Sequence, residues 1–149
     1  MAEERPLFRN ILVPVDGSQA SINAGRTAIR LAGLAGARLT FFYVVDQMAA
    51  QQIAASSQKD PRLVEAELAA SGDRCLVRLV RLAEEGGLHP EKKIRSGEPA
   101  REIGDLARAE CMDLVIIGQI GRDGLRRVLI GSVTEQVIEH APCPVLVVK

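Results

Sequence analysis

The chain alternates between short apolar runs, which predict β-strands, and longer segments with the periodicity of α-helices. Residues 11–15, 39–45, 114–117 and 145–148 are rich in Val, Ile and Leu and are bounded by turn residues or proline, a pattern typical of buried strands. Residues 92–95 are more polar and predict a weaker strand at a sheet edge. Because strands that alternate with helices form parallel sheets with right-handed crossovers, the sequence predicts an α/β protein.

Four helices are predicted between these strands. The first follows Ser18, a favoured N-cap residue, and ends at Gly36. The second spans about residues 62–85, and the other two begin at Pro99 and at Gly131-Ser132. In chain order, the apolar residues predicted to face inward are Ala24, Ala28, Leu31 and Ala35; Leu68, Cys75, Leu79 and Leu82; Ile103, Leu106 and Ala107; and Val133 and Val137.

Composition limits the architecture further. A length of 149 residues fits one domain, spanning residues 1–149, and an aromatic fraction of 3% without Trp requires a core of Ala, Val, Ile and Leu. Such a core is usual where a parallel sheet lies between helices, so we expect an open doubly wound, Rossmann-like sheet of five strands. Residues 47–61 have no strong period, which leaves a loop and a helical extension equally open.

Charge and cysteine usage exclude several classes of protein. Lys plus Arg equals Asp plus Glu, 19 against 19, so no overall field attracts nucleic acid or an anionic membrane. Cys75, Cys111 and Cys143 have no metal-type spacing and are expected to be reduced thiols. The start of the chain lacks the apolar stretch of a signal peptide, and no apolar run approaches the ~20 residues of a membrane span. We therefore expect a cytoplasmic protein without membrane insertion.

A candidate anion site lies where the strand order would reverse. In a sheet ordered 3-2-1-4-5 the reversal falls between strands one and four, and ligands bind beyond the carboxyl ends of such strands. Asp16 and Gly118 directly follow those two strands. Gly118 and Gly121 would let backbone N–H groups approach an anion, and Gly131-Ser132 begins a helix whose N-terminus favours phosphate.

Each part of this pattern has a structural alternative. Gly118 and Gly121 could be turn residues only, and Ser132 with Glu135 fits a capping box that needs no ligand. Asp16 could accept the two hydroxyls of a ribose, or it could cap the first helix.

The cations near the glycines leave similar alternatives open. Arg122 adjoins Gly121 and is a candidate phosphate contact, whereas Arg126 and Arg127 fit a solvated face equally well. The chain contains neither a P-loop nor a G-x-G-x-x-G motif after a strand. His140, at a predicted helix end, suits a structural role. No nucleophile, base and orienting group line up, so no dedicated enzyme is expected.

Several segments together resemble the universal stress protein family. They are the pattern Gly118-x2-Gly121-x9-Gly131-Ser132, the opening residues 11–18, the ending residues 142–148, Gly97-Glu98-Pro99 and Asp113-Leu114-Val115. The resemblance covers nearly the whole chain. It implies the strand order 3-2-1-4-5 and a homodimer in which the strands Val145–Val148 pair antiparallel.

The resemblance also implies which residues bind a nucleotide. Asp16 and the Val44 backbone would hold the nucleoside, and Gly121, Gly131, Ser132 and Thr134 would hold phosphates. The candidate site further includes their neighbours Pro14, Val15, Ile117, Gly118, Arg122 and Val133. Gln119 and Ile120 stand where family members often carry a small polar residue, which leaves the choice among ATP, AMP and cAMP open.

The function implied is that of a nucleotide-dependent stress-response or regulatory protein with an unidentified protein partner. A second possibility is a slow ATPase or nucleotide-transfer enzyme that uses the same crevice, in which only Asp16 and Asp123 could hold Mg²⁺. A third is an interaction module in which the glycines only shape turns.

Overall fold

The computed structural model describes residues 4–120 and 130–149, which form five strands and five helices. In chain order these elements are β1 (Asn10–Pro14), α1 (Gln19–Ala35), β2 (Arg38–Asp46), α2 (Gln47–Ser57), α3 (Pro61–Glu85), β3 (Glu91–Gly97), α4 (Pro99–Ala109), β4 (Leu114–Gly118), α5 (Ser132–His140) and β5 (Val145–Val148). All the predicted strands are confirmed, and their ends lie within two residues of the predicted ones.

The strands form one parallel sheet in the order β3-β2-β1-β4-β5. Val13 lies opposite Phe41 in the β1–β2 pair, and Ile11 lies opposite Leu114 in the β1–β4 pair. The predicted doubly wound fold and its strand order are therefore confirmed. β3 lies at a sheet edge and is mostly exposed, which explains its polar sequence.

Successive residues of the central strands point to opposite faces of the sheet and so build two cores. Phe41 contributes to the core beneath α1 and α3, whereas Phe42 contributes to the core beneath α4 and α5. Both rings are fully buried. Because both faces are covered, the strands carry continuous apolar runs rather than an alternating pattern.

The predicted ends of α1 are confirmed by its caps. The Ser18 hydroxyl accepts the N–H of Ser21 over 3.1 Å, and Gly36 ends the helix with a φ of 65°. Ala24 and Ala28 are fully buried against the sheet, as predicted. Small residues at these positions let the helix lie close to the strands.

The undecided segment after β2 is a helix. Asp46 caps α2 by accepting the N–H groups of Met48 and Ala49 over 3.0 and 3.2 Å. Ala50 and Ala54, one turn apart, pack against Val64 of α3. This contact with α3 stabilises α2 as a helix, which its sequence of Ala, Gln and Ser did not predict.

The inward face of α3 differs in part from its predicted one. The buried residues are Val64, Gly72, Leu76, Leu79 and Ala83. Of the predicted positions, Leu79 is buried, and Leu68 and Cys75 are half-buried against the core. The prediction for Leu82 is wrong, since this residue is 37% exposed and lies at the edge of the helix face. None of the helices within the described ranges has the length and apolar character needed to cross a membrane.

Candidate functional site

A cleft of about 600 Å³ opens at the carboxyl ends of β1 and β4. The helix after β1 packs on one face of the sheet and the helix after β4 packs on the other, so the two connections diverge there. Of the predicted site residues, Pro14, Val15, Asp16, Val44, Ile117, Gly118, Gly131, Ser132, Val133 and Thr134 all line the cleft. Gly121 and Arg122 lie outside the described residues.

Asp16 lies at the rim of the cleft, just beyond β1. Its Oδ1 accepts the N–H of Ser18 over 2.9 Å, which fixes the turn into α1. The N-cap of α1 is Ser18 and not Asp16, so the interpretation of Asp16 as the helix cap is wrong. The half-buried carboxylate is therefore held in a defined position beside the cleft.

The floor of the cleft is formed by the ends of β1 and β2. Pro14 and Val15 are buried, and Val44 is half-buried. The N–H of Val15 donates to the carbonyl oxygen of Phe42 over 2.8 Å and so continues the contact between the strands past the end of β1. This part of the site is largely apolar.

Gly118, the last residue of β4, lies directly beneath the start of α1. A Cβ atom on Gly118 would lie 2.8 Å from the carbonyl carbon of Ala20 and 2.9 Å from the amide nitrogen of Ser21. Both neighbours are backbone atoms, which cannot rotate away. The missing side chain at position 118 therefore has a packing reason, independent of any ligand.

Thr134 joins α5 to the end of β4. Its hydroxyl donates to the carbonyl oxygen of Gly118 over 2.7 Å, and the residue is only 3% exposed. Because a hydroxyl has one proton, this proton is already used within the protein. Only the backbone N–H of Thr134 thus remains suited to donate to a phosphate.

The start of α5 corrects one expectation. Gly131 is the N-cap and Ser132 is the first helical residue, so the capping box of Ser132 with Glu135 is not formed. The N–H of Gly131 donates to the carbonyl oxygen of Gln119 over 2.8 Å. The predicted part of Gly131 in phosphate binding stays a prediction. By helix geometry, the N–H groups of Ser132, Val133 and Thr134 have no acceptor within the helix.

Further lining residues escaped the sequence analysis. Asp46 lies at the carboxyl end of β2, and its position after the apolar run 39–45 was an available signal. Ala49 and Ile53 come from α2, whose structure the sequence left open. Ile120 lines the cleft beside Gly118 without closing it. In the described ranges, His, Cys, Asp and Glu form no cluster of three or more that could hold a metal ion.

Comparison with known proteins places these features in one family. A model of the universal stress protein family matches residues 7–149. A universal stress protein of Methanocaldococcus jannaschii is 36% identical over 143 residues, which cover 96% of this chain and 83% of that protein. The structure of universal stress protein UspA from Lactobacillus plantarum matches with a TM-score of 0.80 at 32% identity, covering 95% of this chain and 98% of that one. A universal stress protein from Archaeoglobus fulgidus, solved in complex with dAMP, matches with a TM-score of 0.63 at 25% identity and covers 96% and 99% of the two chains.

Proposed function

This chain belongs to the universal stress protein family, and from that membership and the cleft geometry we propose that it binds an adenine nucleotide. The ligand is ATP, AMP or cAMP, and the protein is a stress-response or regulatory protein of the cytoplasm. One observation carries the proposal: the N-terminus of α5, the carboxylate of Asp16 and an apolar floor meet in one open cleft. The dAMP complex of the Archaeoglobus fulgidus relative supports the ligand class.

The phosphates are assigned to the start of α5. The N–H groups of Ser132, Val133 and Thr134 lie in the first turn, where the helix dipole favours an anion. Each hydrogen bond to a charged group contributes about 1.5–3 kcal/mol. Gly121, a member of the signature that ends in Gly131-Ser132, and its neighbour Arg122 complete the phosphate site in this proposal. Gly131 itself acts by holding the two ends of that signature together through Gln119.

The nucleoside is assigned to the floor of the cleft. Asp16 accepts from ribose hydroxyls through its carboxylate, and the Val44 backbone contacts the base. Ile117 and Ile103 supply apolar walls nearby. Pockets of this kind, mostly apolar with a few fixed polar groups, are typical of small-ligand sites.

The binding proposal is tested by isothermal titration with ATP, AMP and cAMP. Ser132→Pro is the informative variant, because proline is tolerated at the first helical position and lacks an N–H. The preceding residue, Gly131, has φ −67° and ψ 154°, which suits a following proline. Ser132→Ala is the matched control that removes the hydroxyl alone.

We expect Ser132→Pro to bind the nucleotide about ten- to a hundredfold more weakly than Ser132→Ala. Circular dichroism checks that both variants keep their helices. The proposal fails if no nucleotide gives heat at millimolar concentration. The phosphate assignment fails if the folded proline variant binds as tightly as the alanine control.

We also propose that the protein is a homodimer whose assembly responds to the nucleotide. β5 pairs with β4 along one edge, and Leu146 on this terminal strand is 40% exposed. An apolar strand edge is a common site of pairing between chains. Light scattering should show a dimer that Leu146→Lys weakens, whereas Leu34→Lys, a change at an 88% exposed position of α1, leaves it intact. A monomer at all concentrations, with or without ATP, contradicts this assembly.

We propose a binding role without catalysis. The Asp16 carboxylate and the Thr134 hydroxyl both make structural hydrogen bonds, which supports positioning rather than chemistry. The free thiols of Cys75, Cys111 and Cys143 support a reducing, cytoplasmic setting. Incubation with ATP and Mg²⁺ should release no phosphate above background. Steady release that Ser132→Pro abolishes would instead favour a slow ATPase.

A further inference from the structure

A second groove of about 600 Å³ lies between α1 and α3, separate from the nucleotide cleft. We call it the arginine groove. It is lined by Ile22, Arg26, Asp73, Arg74, Val77, Arg78, Leu79, Arg81, Leu82 and Glu85. It shares no lining residue with the cleft at the carboxyl ends of β1 and β4.

The two helices that form the groove touch at Gly25. A Cβ atom at this position would lie 2.8 Å from the Cδ2 atom of Leu79, so the helix backbones are close there. Arg26 and Arg78 are the sequence neighbours of this contact, and both line the groove. The close packing of α1 on α3 thus brings cationic residues of two helices into one concave surface.

The groove carries an excess of positive charge, whereas the chain as a whole has no net charge. Its four arginines are Arg26, Arg74, Arg78 and Arg81, and all are exposed. Within the part of the chain that the structure describes, none of them lies within salt-bridge distance of a carboxylate. The chain as a whole balances 19 cationic against 19 anionic side chains, so this is a local excess.

The groove also holds two carboxylates, so its lining has four cationic and two anionic side chains. Asp73 forms an ion pair with Lys92 of β3, and Glu85 makes no ion pair among the described residues. Arg74, Arg78 and Arg81 follow one another at helical spacings of four and three. Like charges at these spacings destabilise a helix, whereas Glu85 lies four residues after Arg81, a spacing at which opposite charges attract.

The floor of the groove is apolar. Val77 is half-buried, Leu82 is 37% exposed, and Ile22 closes the floor from α1. Among the described residues no aromatic side chain lines the groove, so they offer no surface on which nucleic-acid bases could stack. Guanidinium groups pair with carboxylates through two parallel hydrogen bonds. An apolar floor with an arginine rim therefore complements a peptide that carries both apolar and acidic residues.

We propose that the arginine groove docks an acidic amphipathic segment of a partner protein. Its apolar side chains would pack on Val77 and Leu82, and its carboxylates would pair with Arg74, Arg78 and Arg81. This is the helix-in-groove mode of recognition, with charge complementarity setting the choice of partner. The proposal does not depend on the nucleotide, since the two sites share no lining residue.

The probe is a fluorescein-labelled synthetic peptide with Leu at positions i, i+3 and i+7 and Glu at most others. Its binding to the full chain is measured by fluorescence anisotropy. Arg78→Glu reverses a charge in the groove. Arg62→Glu is the control, since it makes the same change on α3 outside the groove, in the first helical turn, where an acidic residue is favoured. Arg78→Ala is the milder second variant, and circular dichroism verifies that each variant is folded.

We expect saturable binding that weakens with added salt, and a loss of about tenfold or more in Arg78→Glu but not in Arg62→Glu. A smaller loss in Arg78→Ala supports the same contact. The proposal is overturned by no binding at about millimolar peptide. It is also overturned if the Arg78→Glu variant binds the peptide as tightly as the unmodified protein does. The same holds if a peptide with Gln in place of Glu binds equally well, or if a labelled oligothymidine binds more tightly than the peptide.

Discussion

Replacing Gly118 by alanine tests why glycine ends β4. The added Cβ would lie 2.8–2.9 Å from three atoms of Ala20 and Ser21, of which two belong to the backbone at the start of α1. Since these atoms cannot rotate away, the helix must shift from the sheet. Overpacking of this kind costs about 1–3 kcal/mol of the free energy of unfolding. For a chain of this size, the midpoint of thermal unfolding should fall by about 2–12 °C.

Gly33→Ala is the matched control for this substitution. Gly33 lies in α1, is exposed, and has no heavy atom within 4 Å of the place where its Cβ would stand. The same chemical change should therefore stabilise the protein by about 0.5–1 kcal/mol, because alanine favours the helix. The two variants are predicted to move stability in opposite directions.

Urea unfolding followed by circular dichroism measures both effects, since the chain has no Trp to report by fluorescence. Nucleotide titration of the folded variants gives a second readout. If Gly118→Ala unfolds at the wild-type urea concentration yet binds nucleotide weakly, the packing explanation is refuted. In that case the glycine serves the approach of a ligand. If both stability and binding are unchanged, neither explanation holds.

The remaining predictions concern three side chains. Thr134→Val should cost about 1–3 kcal/mol in urea unfolding, because the buried carbonyl of Gly118 loses its partner, while Thr134→Ser should recover most of the loss. Gln58→Gly should raise the free energy of unfolding by up to about 1 kcal/mol, because Gln58 ends α2 with a φ of 55°, and an unchanged value would contradict this. Burial, and to a smaller extent the charge of Asp113, raise the pKa of the Cys143 thiol. Alkylation at pH 8 followed by mass spectrometry should therefore label the exposed Cys111 earlier than Cys143. The same raised pKa means that the unfolded chain loses this proton first, so stability should fall as pH rises through the ordinary thiol pKa of 9.0.

Local signals in the sequence predicted most of the fold. Ser18 and Gly36 mark the ends of α1 because a cap acts on the backbone within one helical turn. The β-branched run of residues 114–117 predicted β4 because a strand buried on both faces must be apolar throughout. The strand order and the place of the cleft followed from the alternation of strands and helices, together with the family resemblance.

The same local signals failed where a distant contact decides the outcome. α2 is ordered by Ala50 and Ala54 packing on Val64, which lies in another helix, and alanines in a polar segment gave no period to detect. Gly131 caps α5, and its N–H donates to the carbonyl oxygen of Gln119, a residue distant in the chain. A motif that fits Ser132 by spacing alone therefore predicted the wrong cap.

The amino-acid sequence by itself determined all five strands and every helix except α2, and it placed Asp16 and Gly118 at the same edge of the sheet. Only the tertiary structure decided which atoms meet there. The backbone of α1 lies so close to Gly118 that no side chain fits there, and the hydroxyl of Thr134 donates to the carbonyl of Gly118. The N–H of Gly131 donates to Gln119, and Arg26 of α1 lines the same groove as the arginines of α3. The physical reason is range: periodicity and caps act within a few residues, whereas these contacts join residues from separate elements of the fold.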